Sequence, residues 1–172
     1  VRGVFLNFIY QLMSNKTLDQ QSVVVIFSGG QDSTTCLVQA IARYGLEQVH
    51  ALSFRYGQRH EIELQCSLDI CQRLGVKHHR IIALEELSGL TENALMNQEI
   101  KINQSQGASY PNTFVPGRNA LFILYTAIYA YQMNIANIII GVSQADYSGY
   151  PDCREGFIRS INASINLAMD QV

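Results

Sequence analysis

The sequence predicts an α/β domain in three layers, with helices on both faces of a doubly wound parallel sheet. A chain of 172 residues that is 48% hydrophobic is about one domain long and can bury a core. Val23 to Phe27 is a continuous apolar run of the kind that forms a strand buried on both faces. Segments with helical spacing alternate with further such runs, and this order favours parallel strands joined by right-handed crossovers.

The first helix is predicted to follow the first strand after a short polar loop. From Thr34 to Tyr44 the apolar side chains lie on one helical stripe, and Gly45 is suited to end the helix in a left-handed conformation. Gln48 to Phe54 is then predicted as a second strand and Glu61 to Leu74 as a second helix. Apolar residues in that helix also alternate as in a strand, so its length and the glycine after it decide the interpretation.

The same alternation continues after a third strand and an insertion. His79 to Ala83 is predicted as the third strand, and the pair His78-His79 is interpreted only as its beginning. Glu85 to Tyr110 is polar with weak periodicity, which indicates an insertion, with a short helix around Thr91 to Met96. A buried helix, a fourth buried strand and a last amphipathic helix are predicted at Asn119 to Gln132, Asn137 to Val142 and Arg154 to Met169.

Residues 1–22 are predicted to be an N-terminal extension of a domain that spans residues 23–172. Phe5, Phe8, Ile9 and Leu12 have helical spacing. The same segment is also what a start codon assigned upstream of Met13 would produce. The sequence leaves both interpretations open.

Composition excludes several classes of partner. A formal net charge of -2 provides no global attraction to nucleic acid or to an anionic membrane, so local groups must hold any anionic ligand. The most apolar stretch, Ala120 to Met133, is shorter than the roughly 20 residues of a membrane-spanning helix. The four cysteines form no CxxC pair and lack zinc spacing, which predicts free thiols, a cytoplasmic location and no metal site: Cys36, Cys66, Cys71 and Cys153.

The loop SGGQDS, Ser28 to Ser33, lies between the first strand and the first helix. In a parallel sheet this turn is the usual place for a phosphate, because ligands lie beyond the carboxyl ends of the strands. Gly29 and Gly30 bring no side chain between an anion and the backbone, and the helix that follows directs its amides outward. The loop fits neither GxxxxGK[ST] nor GxGxxG, so kinase-like and dinucleotide-binding functions lose support. The alternative is a simple tight turn with Asp32 as a helix cap.

Four separate blocks of the sequence resemble one enzyme family. SGGQDS looks like the pyrophosphate loop of the PP-loop ATPases, a Rossmann-like group that cleaves ATP between the α and β phosphates. FSGGQDSTTCL, YGQRH, PNTFVPGRN and SGYPDCR together resemble the 7-cyano-7-deazaguanine synthase (QueC) family of queuosine biosynthesis. The resemblance runs from about Val23 to the end of the chain, and the blocks stand in the family order.

The resemblance implies a ligase that uses ATP and Mg²⁺. Its substrates would be ammonia and 7-carboxy-7-deazaguanine, whose carboxylate is adenylated, converted to an amide and then dehydrated to the nitrile. A carboxylate meeting a triphosphate needs a nearby cation, and Arg118 is the candidate for that role. Asp32 and Asp146 are the other two candidate catalytic residues. The first block is the candidate nucleotide site: Phe27, Ser28, Gly29, Gly30, Gln31, Asp32, Ser33, Thr34, Thr35, Cys36 and Leu37.

YGQRH and PNTFVPGRN are expected at the same edge of the sheet. Tyr56 would contact the adenine, Gln58 would read a base edge and Arg59 would meet a phosphate, unless Arg59 is simply a solvated first turn of the next helix. Arg118 follows the turn Pro116-Gly117, and its alternative is an arginine that pairs with a loop carboxylate. Arg55 stands where the family often has Asp or Asn, which leaves the role of that position open.

The loop after the fourth strand is the candidate substrate site. An aromatic face and a carboxylate would match the flat ring and the N–H edge of a deazaguanine. The candidate residues are Tyr147, Ser148, Tyr150, Asp152 and Arg154, together with the catalytic candidate Asp146. For Asp152 the alternative is an N-cap of the last helix, in a capping box with Glu155.

The family resembled here continues past Val172 with a fifth strand and a zinc-binding segment. We therefore expect the strand Asn137 to Val142 to have an open edge, which predicts weak activity and self-association of this chain, or a homodimer. Two other functions stay open. One is a tRNA-modifying PP-loop enzyme, and the other is a nucleotide-binding fragment or pseudoenzyme that holds ATP without turnover.

Overall fold

The computed structural model describes residues 22–57, 62–90, 114–142 and 150–170, and the backbone of residues 8–11. The strands are β1 (Phe8–Gln11), β2 (Val23–Ile26), β3 (Val49–Arg55), β4 (His78–Ala83) and β5 (Asn137–Ile140). The α-helices are α1 (Gln31–Tyr44), α2 (Ile62–Leu74), α3 (Leu87–Leu90), α4 (Arg118–Gln132) and α5 (Glu155–Ala168). Short 3-10 turns lie at Leu46–Gln48 and Pro151–Cys153.

The strands form one sheet in the order β1-β5-β2-β3-β4, in which the last four strands are parallel. β2 is central, with Val25 between Ala51 of β3 and Ile139 of β5. Apolar residues fill the central strands because both faces of a parallel sheet are covered.

Two apolar clusters lie on opposite faces of the sheet. One cluster joins Val23, Val25 and Phe27 to side chains of α1 and α2. The other joins Val24, Ile26 and Ile138 to side chains of α4 and α5. The predicted doubly wound α/β class is therefore confirmed, and the carboxyl ends of the parallel strands lie on the side where α1 and α4 begin.

The open strand edge that we expected at Asn137 to Val142 is not present. β1 pairs with β5 in the antiparallel direction, with Phe8 opposite Ile140 and Gln11 opposite Asn137. The helical interpretation of the N-terminal extension is also wrong for residues 8–11, since they form a strand. The edge of β5 offers hydrogen-bonding groups along its length, and aromatic and β-branched residues such as those of β1 are favoured in strands.

The other element boundaries differ from the predictions by a few residues. α1 begins at Gln31 rather than Thr34, and β5 ends at Ile140 rather than Val142. The predicted helix around Thr91 to Met96 lies outside the described residues, which instead include the short helix α3. No helix within the described ranges is long and apolar enough to cross a membrane.

α4 was predicted to be buried, but only one of its faces is. Ile123, Ala127 and Ala130 are buried against the sheet. Leu124, Tyr125 and Ile128 are 39%, 40% and 48% exposed, because no element in the described part of the chain covers that face. High apolar content therefore did not distinguish a helix covered on one side from a helix enclosed on all sides.

Candidate active site

The loop that resembles a pyrophosphate site connects β2 to the N-terminus of α1. The first helical hydrogen bond runs from the Thr34 amide to the Gly30 carbonyl, at 2.9 Å. The amides of Gln31, Asp32 and Ser33 precede that bond, so helix geometry leaves them without an acceptor inside the helix. Three donors at the positive end of a helix form a site suited to a phosphate.

The two glycines of the loop have different structural requirements. Gly29 has a φ of +82°, and a Cβ there would lie 2.8 Å from the carbonyl oxygen of Glu63 and from the amide nitrogen of Ser67. Gly30 has a φ of -75°, and within the described part of the chain its Cβ would meet a single atom, Oγ of Ser28, at 3.3 Å. The fold therefore requires glycine at position 29, whereas at position 30 the described residues leave space beside the backbone.

The four hydroxyl groups of the first block bond within the loop and the helix. Oγ of Ser28 and Oγ of Ser33 lie 3.0 Å apart, and Ser33 also accepts a hydrogen bond from the Ser28 amide. Thr34 donates to the Gly30 carbonyl at 2.8 Å, and Thr35 donates to the Gln31 carbonyl at 2.9 Å. These groups shape the loop, so the backbone amides are better candidate phosphate donors than the hydroxyls.

Three residues of the first block lie beneath the loop. Phe27, Cys36 and Leu37 are almost fully buried in the cluster that faces α1 and α2. Burial raises the pKa of the Cys36 thiol, and the nearby Asp32 carboxylate raises it further. Their predicted part in nucleotide binding is therefore limited to supporting the loop, because their side chains point into the core.

Asp32 and Gln31 lie exposed on the outer side of the loop. The alternative in which Asp32 only caps α1 is wrong, because the N-cap residue is Gly30 and no side chain bonds there. Asp32 occupies the first turn of the helix instead, where a negative charge is favourable. Its carboxylate is thus available to a cation or a ligand bound at the loop.

Tyr56 and Arg118 meet at the same edge of the sheet. Nη1 of Arg118 donates a hydrogen bond of 3.3 Å to the Tyr56 hydroxyl, and the guanidinium lies 5.7 Å from the centre of the tyrosine ring. Gly117, in the left-handed conformation, is the N-cap of α4 and directs Arg118 to this position. Among the described residues Arg118 thus bonds to a tyrosine. The alternative interpretation expected it to pair with a carboxylate of a loop.

The buried position of Tyr56 changes the role expected for it. Its ring is 8% exposed and packs against Phe122, which leaves little surface for the adenine contact we predicted. Burial raises the pKa of Tyr56, and the charge of Arg118 opposes that change. Tyr56 is therefore neutral at pH 7, and its hydroxyl accepts the hydrogen bond from Arg118.

Asp152, a candidate substrate residue, contacts the helix that carries Arg118. Its Oδ2 accepts a hydrogen bond of 3.1 Å from the amide of Asn119, the second residue of α4. The Asn119 side chain donates in return to the carbonyl of Asp152 at 3.3 Å. The last helix has Arg154 as its N-cap, without a side-chain bond, so the capping-box alternative is wrong. Asp152 caps α4 instead, and contact with substrate remains a prediction for its other oxygen.

We expect Asp152→Ala to lower the free energy of unfolding by about 1–2 kcal/mol, because a buried helix cap is lost. Urea unfolding followed by circular dichroism measures this change. Asp69→Ala is the matched control, since Asp69 is exposed and accepts a single hydrogen bond from Gln65 within α2. Its effect should be below about 0.5 kcal/mol. Equal losses in the two variants would contradict the capping role.

Other candidate residues are only partly placed. Tyr150 is half-buried and stacks on Phe114 with the ring centres 5.2 Å apart, and Arg154 is exposed. Arg55 forms an exposed ion pair of 2.7 Å with Glu85, so its positive charge is paired on the surface. The residues that lie outside the described ranges, and so keep their roles only as predictions, are Gln58, Arg59, Asp146, Tyr147 and Ser148.

Gly141 is a site residue that the sequence reasoning missed. A Cβ there would lie 3.2 Å from the Ser33 amide nitrogen, from the Asp32 carbonyl carbon and from Sγ of Cys36. The chain that leaves β5 thus passes close to the first turn of α1. A glycine at the end of an apolar strand is the signal that could have indicated this close approach.

No group of three or more metal-ligating side chains that could hold a metal ion occurs in residues 22–57, 62–90, 114–142 and 150–170. Cys36, Cys71 and Cys153 are buried, and Cys66 is exposed. Cys66 and Cys71 differ in burial because residues five apart on α2 lie on different faces of the helix. The sulfur and imidazole ligands that zinc prefers are therefore not gathered within these ranges.

Comparison with known proteins shows the family of this chain. The family model described as "Queuosine biosynthesis protein QueC" matches residues 22–172. A 7-cyano-7-deazaguanine synthase from Lysinibacillus sphaericus is 46% identical over 153 residues, which cover 89% of this chain and 68% of that protein. The enzyme of the same name from Clostridium acetobutylicum is 49% identical over 155 residues, which cover 90% of this chain and 68% of that protein.

One solved structure supports the fold alone. It is described as a predicted subunit of a tRNA methyltransferase from Methanocaldococcus jannaschii, and it matches with a TM-score of 0.53 at 19% identity. The match covers 85% of this chain and 64% of that chain. The family match over residues 22–172 is far more specific, and by it the chain belongs to the QueC family of queuosine biosynthesis proteins.

Proposed function

We propose that this chain is an ATP-dependent ligase that converts 7-carboxy-7-deazaguanine and ammonia into 7-cyano-7-deazaguanine. The observation that carries the proposal is the 46% and 49% identity to synthases of that name over about nine-tenths of the chain. The loop at residues 28–33 supports it, since its first helix amides lack an acceptor within the helix, and among the described residues a Cβ at Gly30 would meet Oγ of Ser28 alone.

In the proposed reaction the substrate carboxylate attacks the α-phosphorus of ATP and releases pyrophosphate. Ammonia then attacks the acyl carbon of the adenylate. The bond from that carbon to the oxygen of AMP breaks, AMP leaves with the bonding electrons, and the amide forms after loss of a proton. A second ATP activates the amide oxygen in the same way, and loss of AMP and protons leaves the nitrile. The loop at residues 28–33 would hold the pyrophosphate part of each ATP, with Gly30 allowing its close approach.

Arg118 is proposed to act on the α-phosphate. A carboxylate and a triphosphate repel each other, and a guanidinium fixed at their meeting point would lower that repulsion most as the new bond forms. The hydrogen bond to buried Tyr56 supports this role because it holds the arginine in place before any ligand arrives. Asp152 supports it as well, through its cap on the same helix.

Mg²⁺ fits the residues of the loop better than zinc does. Asp32 places a carboxylate on the exposed side of the loop, next to the serine and threonine hydroxyls. Oxygen ligands and phosphates are what Mg²⁺ prefers, and when bound it would neutralise phosphate charge. We propose Asp32 as its protein ligand. We propose that the zinc bound in the family is held by a segment outside the described residues.

We expect the reaction to take place in the cytoplasm, where ATP is abundant and the free thiols of this chain stay reduced. The proposed partners are the small-molecule substrates, without nucleic acid or membrane. Assembly as a homodimer stays a prediction.

The proposal is tested by mass spectrometry of a mixture of the chain, ATP, Mg²⁺, ¹⁵N-ammonium and 7-carboxy-7-deazaguanine. We expect ¹⁵N-labelled nitrile together with AMP and pyrophosphate. AMP release without nitrile would favour another adenylating enzyme of the PP-loop group. ATP binding without any turnover would favour the nucleotide-binding pseudoenzyme, and either result would contradict the synthase assignment.

A further inference from the structure

A hydrogen-bonded chain connects the edge of the sheet to the residue that precedes the loop. Oγ of Ser53, on β3, lies 2.6 Å from the carbonyl oxygen of Phe27. The same Oγ lies 2.8 Å from Nε2 of His79, on the neighbouring strand β4. Ser53 is completely buried and His79 is half-buried. The three groups form a continuous chain that ends one residue before Ser28.

Chemistry determines the direction of both hydrogen bonds. A carbonyl oxygen can only accept, so the single hydroxyl hydrogen of Ser53 is donated to Phe27. Ser53 must then accept from His79, which requires the hydrogen of a neutral His79 to be on Nε2. Burial lowers the pKa of His79, which favours this neutral form at pH 7.

Phe27 is held from three directions. Its amide donates to the carbonyl of Leu52 at 2.7 Å, and its carbonyl accepts from Ser53. Its ring meets the ring of His79 edge to face, with the centres 6.1 Å apart. His79 therefore contacts the side chain of Phe27 directly and its carbonyl through Ser53. The position and direction of the chain as it enters the loop depend on both residues.

We propose that Ser53 and His79 are positioning residues that fix the Phe27 carbonyl and thereby hold the loop at residues 28–33 in its phosphate-binding shape. The role in binding rests on the proposed function, since it takes ATP as the ligand of the loop. His79 is thus more than the beginning of a strand, which was its interpretation from the sequence. Neither residue touches the nucleotide in this assignment, and both act through Phe27.

The first test compares Ser53→Ala with a control for the loss of a buried hydroxyl. Thr126 is also completely buried, and it donates to the carbonyl of Phe122 within α4 at 2.7 Å. We expect Ser53→Ala to weaken ATP binding roughly five- to tenfold, the effect of one lost hydrogen bond, as measured by isothermal titration calorimetry. Thr126→Val should lower the melting temperature about as much as Ser53→Ala does, but it should leave ATP affinity unchanged.

The second test uses the donor at position 79. His79→Gln keeps an N–H group that can reach Ser53, whereas His79→Leu keeps the bulk and removes the donor. We expect Gln to retain ATP affinity within about twofold and Leu to lose as much as Ser53→Ala. In the unchanged chain, ¹⁵N NMR of the imidazole should show the hydrogen on Nε2, and Ser53→Ala should reduce that preference.

The outcomes separate this inference from the proposed function. If the unchanged chain binds no ATP, the proposed function fails. If it binds ATP and Ser53→Ala binds it equally well, the positioning role is wrong while the proposed function stands. An NMR spectrum with the hydrogen on Nδ1 would overturn the hydrogen-bonded chain itself. Equal ATP affinity in His79→Gln and His79→Leu would overturn the part assigned to His79.

Discussion

Arg118→Ala should lower turnover at saturating ATP by about 10²–10³-fold while weakening ATP binding by less than about tenfold. The charge matters most when the carboxylate attacks the α-phosphate, because negative charge then concentrates at one point. Steady-state rates of pyrophosphate release and calorimetric binding of ATP measure the two quantities separately. A loss of ATP affinity with unchanged turnover at saturation would make Arg118 a ground-state clamp instead.

Arg159→Ala is the control for the loss of an exposed arginine. Arg159 forms an ion pair of 2.6 Å with Glu155 on α5, and its side chain is 74% exposed. Turnover and ATP binding should both stay unchanged in this variant. Arg118→Lys keeps a positive charge but changes its shape, so it should recover part of the rate. No recovery at all would indicate that the planar guanidinium, rather than charge alone, is required.

Gly30→Val should abolish ATP binding, with an increase in Kd of at least about 100-fold, because the new side chain occupies the space through which the phosphate reaches the loop backbone. The fold itself should tolerate the change. Gly30 has φ -75° and ψ 168°, a region open to valine, and of the atoms that the structure describes its Cβ would meet only Oγ of Ser28. Calorimetry and circular dichroism test the two statements. Unchanged ATP affinity would show that the loop does not bind the phosphates.

Gly29→Ala is the contrasting variant. A Cβ at that position would lie 2.8 Å from backbone atoms of α2, and φ is +82°. We expect a loss of at least about 1 kcal/mol in the free energy of unfolding, since backbone cannot move aside as a side chain can. A Gly29→Ala protein as stable as the unchanged chain, or a Gly30→Val protein that fails to fold, would contradict the distinction between the two glycines.

Much of the fold could be predicted because its signals are local. Apolar runs such as Val23 to Phe27 form strands in a buried sheet whatever their exact neighbours are, and helical stripes ended by Gly45 and Gly75 are self-contained patterns. Both glycines have a positive φ. Gly45 is nevertheless outside the predicted left-handed helical region, because its ψ is 148°. The loop between strand and helix was likewise predictable, since the position of a phosphate site follows from the order of elements.

β1 shows where local pattern is insufficient. Four residues, of which three are aromatic or β-branched, can form either a helical turn or a strand, and an isolated segment of that length is stable as neither. Pairing with β5 selects the strand, and β5 is more than a hundred residues away along the chain. The same pairing removed the open edge on which we had based the expectation of self-association.

The residues and order of elements were thus sufficient to predict the four parallel strands of the sheet, its two helical layers and the glycine loop at its carboxyl edge. Tertiary contacts alone separated Gly29 from Gly30, assigned Asp152 to the helix of Arg118, and connected His79 to Phe27 through Ser53. Each of these depends on atoms that lie within about 3 Å of each other but belong to distant segments. Hydrogen bonds and steric contacts act at that range, and sequence spacing contains no information about it until the chain has folded.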